Sequence, residues 1–322
     1  MRRDIFEYLL SVVHFANNQE MNDDRYYKVR PIFDNLNKSK IFCDNVRDFS
    51  VDEIMIPYYG RHSSKQFIRG KPIRYGYKVW CIATSKGFGV TFEPYCGKDT
   101  RVQDANLGQG PNVVLDLVKK SDLREGCQVF FDNLFTSFPL LDELSRLGIA
   151  GTGTVRQNRL NRVPLPKKKT AAALERGEVK SVYQQDRICT LWKDSKPVYV
   201  ASNKFGDVCG TQAKRYSRID HKYVNIQRPD LITEYNDKMG GVDLLDSTVS
   251  CYRIKIRKKK WYFPFYSWSL SVAAVNAWRL RNQIRGEKEP YLEFLMELVR
   301  QMGEKYGVPA GATARRITVS TL

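Results

Sequence analysis

The sequence predicts a mixed α/β fold, a β-sheet flanked by helices and broken by one long basic insertion. Three observations carry this expectation. Between residues 49 and 155, extended runs rich in β-branched and aromatic residues give way to alternating helical and extended segments. The stretches on either side, 1–48 and 254–310, carry apolar residues at helical spacing. Hydrophobic residues make up 42% of the 322, enough to bury a sizeable core and to exclude wholesale disorder.

In the first segment Ile5, Phe6, Leu9, Val12 and Val13 mark the apolar side of a helix. Three extended runs follow: FSVDEIMI (49–56), YGYKVWCIAT (75–84) and FGVTFEPY (88–95), bounded by Gly, Lys or Ser. After the glycines at 108 and 110, PNVVLDLVKK (111–120) reads as a helix. CQVFF (127–131) reads as a buried strand ending on Asp132. The next helix has Thr136 or Ser137 as its cap, Pro139 in its first turn and Gly148 past its end. IAGTGTV (149–155) is the last extended run. The order β-β-β-α-β-α-β is that of an RNase H-like fold, whose closing helix is here delayed.

Residues 156–229 intervene and read as a separate basic insertion. It opens with RQNRLNRVPLPKKK (156–169), which holds six basic residues and no acidic one, and has strand candidates at 188–194 and 197–202. The delayed helix begins at GGVDLLDSTVS (240–250), so 230–253 should complete the core. Residues 254–310 should be helical again and the tail, 311–322, frayed. Phe263–Leu280 approaches a membrane span in length, but Pro264, three serines, Asn276 and Arg279 interrupt it. A buried helix is expected there, with no membrane partner. The N-terminus does not read as a signal peptide.

Lys and Arg outnumber Asp and Glu by 53 to 35, a net charge of +18 that calls for an acidic partner, most simply a nucleic-acid backbone. The seven cysteines are odd in number, widely spaced and without a C-x-x-C pair, and there are three histidines. No disulfide framework and no zinc are expected, and a reducing compartment, nuclear or cytoplasmic, fits best. Four basic stretches interleave with aromatics. The first holds Arg61, Lys65, Arg69, Lys71, Arg74 and Lys78; the second holds Arg156 and Arg159. The third is 214–222, and the fourth runs from 253 to 261 with Arg257, Lys258, Lys259 and Lys260. Their cations suit phosphates and their rings suit splayed bases. RIKIRKKK (253–260) also fits a nuclear import signal, which makes the nucleus the expected location.

The candidate chemistry is acidic. Alternation along the first strand sets Asp52 on the apolar face with Ile54 and Ile56, and turns Glu53 toward solvent or DNA. Asp132 ends the buried strand, where α/β sheets place ligands. Asp243 and Asp246 are three apart, so they share a helix face near its start, where negative charge is favoured. In an RNase H-like sheet the strands of Asp52 and Asp132 are neighbours and the closing helix brings Asp243 over them. Such carboxylates repel one another unless cations bind, and Mg²⁺ or Mn²⁺ in a two-metal site is the natural occupant. Taken singly, each acid has an ordinary role as a turn or helix-start residue. Asp237 is expected in the turn before the helix, outside the constellation.

SVDEIMIPYYGR (50–61) with KPIRYGYK (71–78) resembles the first catalytic block of piggyBac-type transposases. FDNLFTS (131–137) with GTVR (153–156) resembles the second. YNDKMGGVDLLD (235–246) resembles the third, continued by KKWYFPF (259–265) and NAW (276–278). The resemblance spans nearly the whole chain in order. It implies a DNA transposase core of the DDE/DDD transposase and integrase superfamily, with Asp52, Asp132 and Asp243 as catalytic triad and Asp246 as a further metal-site acid. It also implies cleavage and joining at TTAA targets, double-stranded transposon ends as partner, and a homodimer. Residues 1–48 and 254–310 would then belong to a dimerisation and DNA-binding domain flanking the catalytic core (49–155 and 230–253). Relative to the family pattern, most of an N-terminal region and a C-terminal cysteine-rich zinc domain are not found in this sequence. A transposase-derived DNA-binding protein without catalysis is the alternative. An RNA-binding reading of KGFGVTF (86–92) rests on a partial RNP1 match that a plain strand explains.

Overall fold

The computed structural model describes residues 2–38, 46–97, 107–161, 163–218, 221–256 and 259–307. Two helices come first, α1 (Arg3–Val12) and α2 (Arg30–Asn37). The meander then forms β1 (Asp48–Pro57), β3 (Tyr75–Thr84) and β4 (Gly89–Pro94), with a two-residue strand, β2 (Gln66–Phe67), between the first two. Next come α3 (Gln109–Lys120), β5 (Gln128–Phe131), α4 (Phe138–Arg146) and β6 (Ala150–Thr154). Of the two cap candidates, Ser137 caps α4 by accepting the Leu140 amide at 3.2 Å. Thr136 is buried and donates instead to the Asp132 carbonyl at 2.8 Å.

Strands β5 and β6 run parallel to β1, while β3 runs antiparallel to it, so the sheet is mixed and compatible with an RNase H-like core. Both faces of β1 are covered. Phe49 and Val51 face the layer made by α3 and α4. Ile54 and Ile56 face α2, the later helix α7 (Gly241–Cys251) and the long helix α8 (Phe263–Arg285). Phe263, Phe265 and Trp268 are fully buried in that second layer, where Phe33 of α2 meets the rings of Phe265 and Trp268. None of the described helices is long and apolar enough to cross a membrane.

Strand β4 pairs only with β3, so its other edge would expose unpaired peptide groups. Two asparagines cover it. Asn276 of α8 accepts the Gly89 N–H at 2.9 Å and donates to the Gly89 carbonyl at 2.8 Å. Asn37 of α2 does the same for Phe92, at 2.8 and 3.1 Å. Each side-chain amide stands in for one residue of a neighbouring strand.

The insertion differs from expectation. After a short helix, α5 (Lys168–Ala172), come β7 (Val179–Gln184), β8 (Arg187–Lys193) and β9 (Pro197–Ser202). Strand β9 pairs antiparallel with β6, so the order is β2-β3-β1-β5-β6-β9-β8-β7 and these strands prolong the main sheet. The segment 156–229 is therefore not separate from the core. The reason is β6: its outer edge is open after the core strands pair, and β9 fills it. Only β10 (Thr211–Ser217) and β11 (Lys222–Arg228) form a ladder of their own. Helix α6 (Asp230–Lys238) follows and leads into α7. Asp237 thus lies in the last turn of α6, not in a loop. Helix α9 (Tyr291–Tyr306) closes the described chain; the tail expectation for 311–322 falls outside the described residues.

Candidate active site

The site is built where β1, β5 and α7 meet. The parallel register pairs Val51 with Phe131, so Asp52 and Asp132 follow one another on adjacent strands. On the antiparallel side Asp52 stands opposite Cys81, which is fully buried. Helix α7 reaches this spot by close backbone approach. A Cβ on Gly241 would overlap the Thr84 carbonyl and sit 2.6 Å from Ser50 Oγ. Ser50 Oγ in turn accepts the Val242 amide at 3.1 Å, tying the start of α7 to β1. Glycine at 241 is what lets Asp243, in the first turn of α7, and Asp246 arrive over the sheet.

Electrostatics show which groups share the site. Burial, then the charge of Glu53 and more weakly that of Asp132, pushes the Asp52 carboxyl up to about 7, with Lys71 opposing. Burial also raises Asp132, helped by Glu53, against the Leu134 amide that its Oδ1 accepts at 2.7 Å and the cations Arg156 and Lys71. Asp246 is raised by burial, opposed by Arg253 and Lys71. Its Oδ1 is buried with no hydrogen-bond partner. The thiol of Cys81 is pushed far up by burial and by Asp52 and Asp246. Asp243 is exposed, and its charge bears on Lys71, Tyr235 and Asp246.

Two residues join the acids in roles that the sequence did not reveal. Lys71 makes an ion pair with Glu53 at 3.2 Å, and although burial works against its charge, Glu53, Asp52 and Asp243 raise its pKa. Tyr235, on α6, is pushed up to about 12 by burial and by Asp132, Asp52 and Asp243, with a hydrogen bond to Thr154 opposing. Its phenol therefore keeps its proton among the carboxylates. Tyr235 stands in the same run of sequence as Asp243, but its position on a preceding helix gave no local sign of its role.

Glu53 does not face solvent. Its side chain is 14% exposed and bridges Lys71 and Lys78, the latter at 3.6 Å. Lys78 is itself 13% exposed and lies 3.8 Å over the Trp80 ring. Lys78, expected among the DNA-binding cations, sits on β3 with its side chain held between Glu53 and Trp80. Arg159 is likewise engaged, donating to the carbonyls of Asn133, Leu134 and Thr136 and so tying down the turn after β5. Arg156 is exposed and donates to Asn133 Oδ1 at 2.6 Å. Arg61 and Arg74 are exposed; Lys65 donates to the Gly60 carbonyl at 2.8 Å. Lys259 is exposed, and Lys260 donates to the Ser11 carbonyl at 2.6 Å. Arg257 and Lys258 fall outside the described residues.

A divalent metal can be tested against this donor set. Among the described residues no three His, Cys, Asp or Glu side chains are already gathered to hold an ion. The chemistry of the donors nonetheless fits: hard carboxylate oxygens, one of them buried and unpartnered, with burial raising the pKa of Asp52, Asp132 and Asp246 and so favouring a bound cation beside them. A cleft of about 1500 Å³ lies elsewhere, between α2, β4 and α3, around the ion pairs of Arg30 and Lys120 with Glu93. It touches none of these acids.

Comparison with known proteins gives the family and the fold. A family model described as Transposase IS4 matches residues 1–278. The human PiggyBac transposable element-derived protein 3 is 39% identical over 314 residues, which are 96% of this chain and 53% of that protein. The human Chimeric ERCC6-PGBD3 protein is also 39% identical over 314 residues, 30% of its own length. The human PiggyBac transposable element-derived protein 2 is 36% identical over 286 residues, 87% of this chain and 48% of that protein. The chain thus spans about half the length of the two element-derived relatives. Among solved structures, a cryo-EM piggyBac transposase synaptic complex with hairpin DNA superposes with a TM-score of 0.75 at 22% identity, covering 98% of this chain and 66% of that one. At that identity the likeness is one of fold.

Proposed function

The chain belongs to the piggyBac-type transposases of the Transposase IS4 family, and from that premise we propose that it carries the metal-dependent DNA cleavage and strand-transfer site of such an enzyme. Asp52, Asp132 and Asp243 are the catalytic carboxylates, and Asp246 is an additional ligand. The observation that supports this most is the register that sets Asp52 and Asp132 next to one another on neighbouring strands, with the start of α7 tied to β1 by the Val242–Ser50 hydrogen bond and all four acids within electrostatic reach of Lys71.

Mg²⁺ or Mn²⁺, when bound, would activate the attacking oxygen and stabilise the leaving one at phosphorus. The chain's own groups prepare that chemistry. Asp52 and Asp132 present hard oxygens from neighbouring strands. Lys71 offsets their repulsion while the site is without a cation. Tyr235 holds its proton and can donate it in a hydrogen bond to a phosphate oxygen. Exposed Arg61, Arg74, Arg156 and Lys259 suit a DNA backbone. Duplex transposon ends, TTAA targets, a homodimer and a nuclear location complete the reading.

The test is cleavage of a labelled, TTAA-flanked end in Mn²⁺ by the chain and by Asp132→Asn. Cutting by the parent alone supports the proposal; equal cutting by both overturns the role of Asp132. One observation favours a second reading, a transposase-derived DNA-binding protein without catalysis: the human relatives matched are named as transposable element-derived proteins. Duplex binding without cutting at any Mn²⁺ concentration would establish that one instead.

A further inference from the structure

The β10–β11 ribbon carries none of the candidate active-site residues. Its inner face is anchored. Ala213 and Ile226 pair across the ladder and are buried with Ile188, Trp192, Val200, Leu231 and Ile232. The Trp192 indole donates to the Gln227 carbonyl at 2.9 Å. Asp194 accepts from both Arg215 and Arg176 at 3.0 Å, fixing the ribbon against the turn after β8.

The outer face has a different composition. Alternation sends Gln212, Lys214 and Tyr216 outward from β10, and Tyr223, Asn225 and Gln227 outward from β11; all six are exposed. The register sets them in three rows: Gln212 beside Gln227, Lys214 beside Asn225, Tyr216 beside Tyr223. Tyr216 and Tyr223 are 47% and 65% exposed, with ring centroids 5.4 Å apart. Asparagine is depleted in strands and lysine mildly so, so local propensity does not account for the Lys214–Asn225 row. Lys214 places a cation within it, Arg218 is exposed just past the end of β10, and none of the ribbon's described side chains is acidic.

We propose that this outer face is a base-reading surface, seated in the major groove of duplex DNA. Asparagine and glutamine amides pair bidentately with adenine, lysine donates to guanine, and an aromatic ring packs on a thymine methyl. A two-stranded ribbon is one of the two elements the major groove admits. Rows on a strand face repeat every ~6.8 Å, close to two base-pair steps, so three rows cover about four to five base pairs. A held inner face keeps those rows in register before DNA arrives. The narrow major groove of double-stranded RNA would exclude the same ribbon.

This rests on duplex DNA being the partner, and the experiment separates the two claims. The full chain is used to select from a duplex pool with a randomised centre, beside the triple variant Gln212→Thr, Asn225→Thr, Gln227→Thr, without divalent metal. Threonine favours the strand, and circular dichroism checks that the variant folds. The parent should enrich a short motif and shield purine N7 atoms within it from methylation. The variant should lose roughly ten-fold or more in preference for each bidentate pairing it can no longer make, while binding to unselected duplex at low salt stays within about two-fold. A parent that binds duplex but enriches no motif overturns the ribbon proposal, as does a folded variant that selects the parent's motif. N7 shielding absent from the parent overturns it without reference to any variant. Preference for a single-stranded RNA pool overturns it too. Failure of the parent to bind duplex at all removes the wider DNA reading with it.

Discussion

Asp52 is the residue whose chemistry is most exposed to test. Its ordinary carboxyl value, 3.8, rises to about 7 in the fold because burial disfavours the charge. A raised folded value means that its contribution to stability is complete below 3.8 and is lost as pH rises toward and through about 7. Asp52→Asn should therefore melt higher than the parent in metal-free buffer above pH 7, with the gap closing in acid. Mn²⁺ should then raise the parent's melting temperature and leave the variant's little changed. Calorimetry over that pH range, with and without Mn²⁺, checks both; a variant less stable than the parent in neutral metal-free buffer would contradict the buried-charge account. His62 has the opposite sign. Burial lowers its pKa, its ring stacks on Trp261 at 4.4 Å, and its Nδ1 accepts the Ser64 amide at 3.2 Å. Protonation removes that acceptor, so His62→Gln should soften the loss of stability as pH falls below its ordinary 6.5.

At the level of elements, α7 and α8 are placed by single residues. Gly241→Ala must push α7 off the Thr84 carbonyl, which costs roughly 1–3 kcal/mol by overpacking and moves Asp243 and Asp246 away from β1. Denaturation should register the loss, and cleavage should fall by more than the loss of folded protein explains. Asn276→Leu leaves the Gly89 N–H and carbonyl without their partner, about 1–3 kcal/mol for each group so orphaned. The variant should be less stable yet keep the proposed cleavage per folded molecule. The core elements were legible in the sequence where they announce themselves locally: β1 by its β-branched run, α4 by Ser137, Pro139 and Gly148, the start of α7 by its paired glycines; β7, β10, β11 and α6 carry no such mark and were not legible. What was not legible was partnership across the chain. A period of two marks β9 as a strand but does not say that it pairs with β6. Alternation put Glu53 on a different face from Asp52, but not beneath the two lysines that cover it. The three acids stood out because strand interior, strand end and helix start are recognisable positions. Lys71 and Tyr235 reach the site from a loop and a neighbouring helix, and neither position has such a mark.

Across the whole molecule, a charge of +18 is spread over cations in very different environments, and a salt titration should tell them apart. Removing one cation that neutralises a phosphate flattens the dependence of log K on log salt by about 0.9. Arg61 and Arg74 are exposed beside the first strand, so Arg61→Gln with Arg74→Gln should flatten the slope by up to ~1.8 and leave the melting temperature nearly unchanged. Lys78 lies in the same basic run, yet it is held between Glu53 and the Trp80 ring. Lys78→Gln should leave the slope as it was and lower stability instead, because Glu53 then loses one of its two cations in a half-buried setting. Binding of labelled duplex at several salt concentrations, paired with thermal melts, gives both readings for each variant. If Lys78→Gln flattens the slope as much as an exposed arginine does, Lys78 must leave Trp80 to meet DNA, and the first basic run works as one continuous surface. If the arginine pair leaves the slope unchanged, the DNA track lies on another face, and the exposed cations near Arg156 and Lys259 become the next to neutralise.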